Sequence, residues 1–257
     1  MLSQRENDLA VQGIEISCIT WSKMRGTALV QGDISYCKPV KTKGFACIFS
    51  VDIQDGQGAR IQWLVSSIRA KAVPDYIVIT PNTRPANLAG ILHGEGFKID
   101  DSIPGMVLDL DAYRESEPPA GLRITNVTGK WRLADWLRIV RKVLYGGRIV
   151  TLAQYSDVLR LDNTHFYLGF SGHKPVTACM TITQGDTSVL EMVATLPKYR
   201  RRGFASALIN QALIDLRQQG VKTVTLRAEA DGVSVYKRLG FHECFKCVVA
   251  SYDWKGD

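Results

Sequence analysis

The chain of 257 residues holds no uninterrupted run of the roughly 18 apolar residues that a membrane-spanning helix needs. Its first ten residues (MLSQRENDLA) do not show the basic-then-apolar pattern of a secretory leader. Neither G-x-x-x-x-G-K-[ST] nor G-x-G-x-x-G occurs, so an NTPase phosphate loop and a dinucleotide fingerprint are both excluded. Histidine is scarce, and His93, His165, His173 and His242 have no metal-ligand spacing. Cysteines 18, 37, 47, 179, 244 and 247 are scattered. Cys244-x-x-Cys247 lacks the second pair of a zinc site, and on a strand its two thiols point to opposite faces. The expectation is a cytoplasmic protein with reduced thiols and no metal.

What is present is an ordinary globular composition, 46% hydrophobic and 22% charged. The length suits two modest domains or one large one. The net charge is +7, and four of the positive charges, Lys198, Arg200, Arg201 and Arg202, lie within five consecutive residues. A nucleic-acid coat spreads its cations along a face. Here the exposed side of the helix that follows (Ser206, Asn210, Gln211, Asp215) carries no basic stripe. One basic knot beside a glycine suits a small polyanion better, and no nucleic-acid or membrane partner is expected.

The stretch Glu115-Ser-Glu-Pro-Pro-Ala-Gly121 has no apolar period and reads as a linker at residues 116–121. It separates a first domain, 1–115, from a second, 122–257. The second opens with a strand at 122–127. A helix follows, with Trp131, Leu133, Trp136, Leu137, Val140 and Val143 at helical spacing. A hairpin at 165–182 turns at Ser171-Gly-His-Lys174, and a strand runs from 188 to 195. From Ala205 the residues Leu208, Ile209, Ala212, Leu213 and Leu216 form one helical stripe that Gly220 ends. A strand, a short helix halted by Gly240 and a last extended segment complete the order β-α-β-β-β-α-β-α-β, an α+β class.

The segment Val193-Ala-Thr-Leu-Pro-Lys-Tyr-Arg200-Arg-Arg-Gly203-Phe-Ala205-Ser206 joins a strand to a helix start. Unpaired N–H groups and the positive end of the helix dipole there attract an anion, and Gly203 lets it approach the backbone. Alone, this reads first as an ordinary basic loop capping a surface helix. About thirty residues on stands Tyr236-Lys-Arg-Leu-Gly240-Phe241. Together the two segments resemble the acetyl-CoA site of the GNAT superfamily of N-acetyltransferases, V-x-x-x-P-x-[YF]-[RQ]-x-x-G-x-[GA] followed by Y-x-x-x-G-F, over residues 122–257. Ala205 stands where glycine is commoner, and Asp231-Gly232 where an asparagine is frequent.

The resemblance implies the GNAT fold, a mixed and mostly antiparallel sheet flanked by helices. It implies an acyltransferase that uses acetyl-CoA as cosubstrate and an amine as acceptor, by direct attack within a ternary complex. Strand residues Val193 and Thr195 then face the pantetheine arm, and Arg200, Arg201, Arg202, Gly203, Phe204, Ala205 and Ser206 hold the diphosphate. Tyr236 occupies the place of the general acid; a lone tyrosine reads as core packing. Glu191, two residues before Val193 and so on its strand face, is the candidate base, or else a solvent-facing glutamate. The alternative from another class is a non-catalytic acyl-CoA-binding or regulatory module.

The first half carries a faded copy. Ile68-Arg-Ala-Lys-Ala-Val73 aligns with Leu216-Arg-Gln-Gln-Gly-Val221 at an offset of 148, and Leu92-His-Gly-Glu-Gly96-Phe97 aligns with the Tyr236 motif. Asp52, Asp55 and Gln57 stand where Arg200, Gly203 and Ala205 stand in the second half, and the acidity of the two aspartates repels a diphosphate. The chain is therefore expected to be a tandem of two GNAT-like halves, the first degenerate and inert toward CoA, either shaping the acceptor cleft or supporting folding.

Overall fold

A computed structural model describes residues 4–40, 44–54, 56–117, 119–146 and 151–254, with the backbone alone at 101 and 102. The chain forms two compact units that interleave in sequence. One comprises residues 1–106, 227–230 and 243–257; the other comprises 107–226 and 231–242.

The first unit begins with α1 (Gln4–Trp21), followed by β1 (Thr27–Val30), β2 (Ile34–Pro39), β3 (Cys47–Val51), α2 (Gly58–Arg69), β4 (Tyr76–Ile79), α3 (Leu88–Gly94) and most of β5 (Phe97–Asp109). β3 and β4 run parallel, and the remaining pairs among β1, β2 and β3 are antiparallel. Alternation along β4 divides its core. Ile77 and Ile79 pack with Leu64, Ile68, Leu88 and Leu92 of α2 and α3, whereas Val78 packs with Ile14 and Cys18 of α1.

The second unit holds β6 (Leu122–Asn126), α4 (Lys130–Val143), α5 (Leu152–Leu159), β7 (Thr164–Ser171), β8 (Lys174–Gln184), β9 (Thr187–Thr195), α6 (Phe204–Gln218), β10 (Thr223–Arg227) and α7 (Val233–Arg238). Its sheet runs β10-β9-β8-β7-β6, antiparallel except for the β9–β10 pair. Trp136 of α4 stacks edge-on against Phe166 at 4.8 Å. Tyr167, the next residue, points the other way and shares a hydrogen bond with Asp215 of α6. Consecutive strand residues face opposite sides, so α4 and α6 cover opposite faces of the sheet.

The final strand, β11 (His242–Tyr252), pairs antiparallel with β4, placing Val248 opposite Ile79 and Ser251 opposite Tyr76. The end of the chain thus completes the sheet of the first unit. Its cysteines divide by face: Cys247 is fully buried and Cys244 half-buried.

The repeat inferred from sequence has a counterpart in element order. β3, α2, β4, α3 and β5 recapitulate β9, α6, β10, α7 and β11, with a parallel strand pair in each set. Of the three positions that replace the basic loop, Asp52 lies in an isolated bridge to Arg84 and Gln57 is the N-cap residue of α2. Asp55 lies outside the described residues.

Three local expectations need correction. Helix α5 is absent from the sequence reading, although its Thr151-Leu-Ala-Gln154 start is a capping box: Gln154 N–H donates to Thr151 Oγ1 and Thr151 N–H to Gln154 Oε1. Trp131 is 89% exposed, because it lies about 200° around α4 from Leu133, opposite the true stripe of Leu133, Trp136, Leu137 and Val140. Asn210, assigned above to an exposed face, is buried at 4% exposure.

Packing at Gly169 supplies a stability test. A Cβ there would sit 2.5 Å from Thr177 Cγ2, and Thr177 is pinned by its hydroxyl's contacts with Ala194 O at 3.2 Å and Thr195 Oγ1 at 2.8 Å. Gly169→Ala is expected to lower unfolding stability by about 1–3 kcal/mol, read from denaturant melts.

Candidate active site

Parallel neighbours deliver their C-terminal ends to the same edge of a sheet. β9 leads through a 3-10 turn, Pro197–Tyr199, into α6, and β10 leads into α7. Topology therefore brings the basic turn and the Tyr236 helix to one end of the β9–β10 pair. That pair is short: Thr187, Ser188 and Val189 oppose Thr223, Val224 and Thr225, and no described pairing with β10 continues along the rest of β9. Among the described residues, the edge of 190–195 on that side has no β10 partner.

A bulge shapes the same stretch. Between Ala178↔Ala194 and Met180↔Glu191, β9 carries one residue more than β8, and Met192 adopts a left-handed φ of 56°. The alternation that would place Glu191 and Val193 on one face is interrupted at Met192. Glu191, Met192 and Val193 are all half-buried. Beside the bulge, Tyr145 Oη lies 3.0 Å from Tyr155 Oη and 3.7 Å from Met192 Sδ. Burial pushes both phenols above the usual range; the Glu191 charge adds to this. Sequence reading missed this phenol pair: Tyr155 lies in the unrecognised α5, and Tyr145 just beyond α4.

The basic turn is built from backbone torsions. Arg200 is extended, Arg201 has φ 62° and Gly203, the N-cap of α6, has φ 75° and ψ 0°. A β-carbon opposes this left-handed conformation, so glycine suits position 203 and Arg201 holds it under strain. Strain of this kind persists where the surroundings impose it, and it concentrates at functional sites. The amides of Tyr199 and Arg200 are taken by Leu196 O and Pro197 O. Among the described residues, no main-chain carbonyl accepts from Arg201, Arg202, Gly203, Phe204, Ala205 or Ser206, and Gly203 provides no side-chain cap. Six successive amides without a main-chain acceptor thus lead into the positive end of a 15-residue helix. The diphosphate of CoA fits this set: the donors are main-chain, their neighbours cationic and the three arginines exposed. Arg200 Nε ties the turn back to the strand by donating to Thr195 O at 3.3 Å, and the Arg202 guanidinium sits 5.4 Å from the Tyr199 ring centroid.

Tyr236 lies in α7 with 8% exposure, its ring edge-on to Phe241 at 5.9 Å, and its carbonyl accepts from Phe241 N–H at 3.0 Å. The glycine of this motif has two reasons to be there: Gly240 has φ 96°, and a Cβ would sit 3.2 Å from Leu108 Cδ1.

Residues 147–250 match the family described as "Acetyltransferase (GNAT) domain". This part of the chain is a GNAT domain. A protein of Pyropia yezoensis, named as uncharacterized N-acetyltransferase ycf52, is 38% identical over 61 residues. That match covers 24% of this chain and only 35% of the relative. Among solved structures, a GCN5-related N-acetyltransferase from Kribbella flavida is similar over 95% of both chains with a TM-score of 0.71 and 17% identity. A tandem GNAT protein from the clavulanic acid biosynthesis pathway covers 95% of this chain and 93% of its own length, with a TM-score of 0.62 and 12% identity. At such identities the likeness concerns the fold, and it extends the GNAT architecture beyond the matched domain. Among the described residues no helix is long and apolar enough to cross a membrane.

Proposed function

We propose that this chain is an acetyl-CoA-dependent N-acetyltransferase of the cytoplasm that moves an acetyl group to a primary amine by direct attack in a ternary complex. One observation carries the reading: six consecutive main-chain amides, none with a main-chain acceptor among the described residues, lie around a left-handed turn at the start of α6. The turn would hold the diphosphate, with Val193 and Thr195 along the pantetheine arm. Acetyl-CoA supplies the activated thioester when bound.

The chain's own residues then position and move protons. Orienting amine and thioester together supplies as much as roughly 7–11 kcal/mol of the barrier reduction. Glu191, at the bulge, is the proposed acceptor of the amine's proton. Tyr236 is the proposed donor to the departing sulfur, since a phenol of ordinary pKa about 10 can protonate a thiolate whose conjugate acid lies near 8.5. Residues 1–115 are proposed to be the degenerate half of a tandem, without a CoA site of their own.

Calorimetry with CoA tests the turn, and thiol release across a panel of amines tests transfer. Binding with amine-dependent release of thiol supports the enzyme; binding without release with any amine supports the non-catalytic module; no heat with CoA removes the reading. Gly203→Val is expected to weaken CoA binding by about tenfold, because a β-branched residue opposes the left-handed turn by roughly 1–2 kcal/mol.

A further inference from the structure

The acidic, proline-containing stretch that reads as a linker is laced along α6. Leu110 N–H donates to Lys222 O at 2.9 Å and Asp111 pairs with Lys222, just past the C-terminal end of the helix. Glu115 pairs with Arg217 in the last turn. Tyr113 Oη donates to Asn210 Oδ1 at 2.5 Å, Ser116 N–H donates to the same oxygen at 3.1 Å, and Asn210 Nδ2 donates to Ser116 O at 3.0 Å. Pro119 then lies against Gly203: a Cβ on that glycine would meet Pro119 Cγ at 3.6 Å. The anchors step from residue 222 back through 217 and 210 to 203 as the segment runs forward. The lengths agree where the fastening is closest: Asn210 to Gly203 is about 10.5 Å along the helix, and Ser116 to Pro119 is about 10–11 Å of extended chain.

Asn210 is the strongest of these fastenings. Its amide makes three hydrogen bonds to the segment from a buried position in mid-helix. Burial pushes the Tyr113 phenol up to about 12, with Glu115 adding to the rise, so this donor keeps its proton. Between segment and helix runs a groove of about 450 Å³ lined by Ser116, Glu117, Ala207 and Gln211, so continuous apolar packing does not hold the two together there.

We propose that residues 110–117 with Pro119 are a strap that holds the anion-binding turn of α6 in its strained conformation, with Asn210 as the positioning residue that fastens it. Only the effect on CoA affinity rests on the function proposed above; the effect on the turn does not.

The test is amide hydrogen exchange on the full-length protein, without ligand, in wild type, Asn210→Leu and Pro119→Gly. The reporter is the first bonded turn of α6, which begins with Ala207 N–H to Gly203 O at 3.0 Å. Asn210→Leu is expected to speed exchange at Ala207 and Leu208 by about tenfold and Pro119→Gly by about threefold, with β7 and β8 unchanged. CoA dissociation constants should rise by similar factors. Wild-type exchange at Ala207 and Leu208 in both variants would overturn the strap, as would equal acceleration in β7 and β8, which signals general loosening. If Asn210→Leu does not fold, Pro119→Gly decides alone. A wild type that gives no heat with CoA would remove the functional reading and leave exchange to judge the strap.

Discussion

Tyr236→Phe is expected to lower kcat by about 10–100-fold while leaving CoA affinity near wild type. The substitution removes the hydroxyl and keeps the aromatic ring. The side chain is 8% exposed, and its edge-on contact with Phe241 at 5.9 Å uses ring carbon alone. The diphosphate turn lies on a different element, so binding survives the loss of the hydroxyl. Steady-state thiol release with calorimetry of CoA separates the two quantities. A variant as fast as wild type would remove Tyr236 from the role of acid, and a variant that lost CoA affinity in parallel would make it a binding residue.

A second large effect concerns folding. A fragment comprising residues 116–257 contains every residue of both GNAT motifs, yet it is expected to show no cooperative unfolding transition. Its β11 would lack β4, whose Tyr76, Ile77, Val78 and Ile79 pair with Ser251, Ala250, Val249 and Val248 in the intact chain. Buried Cys247 and Ala250 would be exposed, and the strand would present an unpaired edge that invites aggregation. It would also lack Tyr113 and Glu115 of the strap. Far-UV circular dichroism during thermal melting and gel filtration check this. A monomeric fragment with a sigmoidal melt close to that of the full chain would refute it.

The motifs were legible because their chemistry is local. Gly203, the basic knot and the Tyr236 frame declare a helix start and a short helix by residue type and spacing alone, and the structure places each on the expected element. The amphipathic stripe of α6 was equally plain. Helix α5 could have been found from its capping box, and Trp131 excluded by counting angles around α4.

Three features were not local and could not be read. The bulge at Met192 arises from the register between β8 and β9, so strict alternation misplaced Glu191 relative to Val193. Asn210 looks like a surface residue on a helical wheel, because a wheel cannot show a strap crossing it. The pairing of β11 depends on which open sheet edge it meets, and backbone hydrogen bonds carry no residue identity. By itself, then, the sequence determined the kinds of element, the acetyltransferase motifs and the charge around the turn, since these depend on neighbours within a few residues. Tertiary structure decided which strand closes which sheet, which face of α6 is covered and where the bulge falls, because each depends on contacts between residues far apart in the chain.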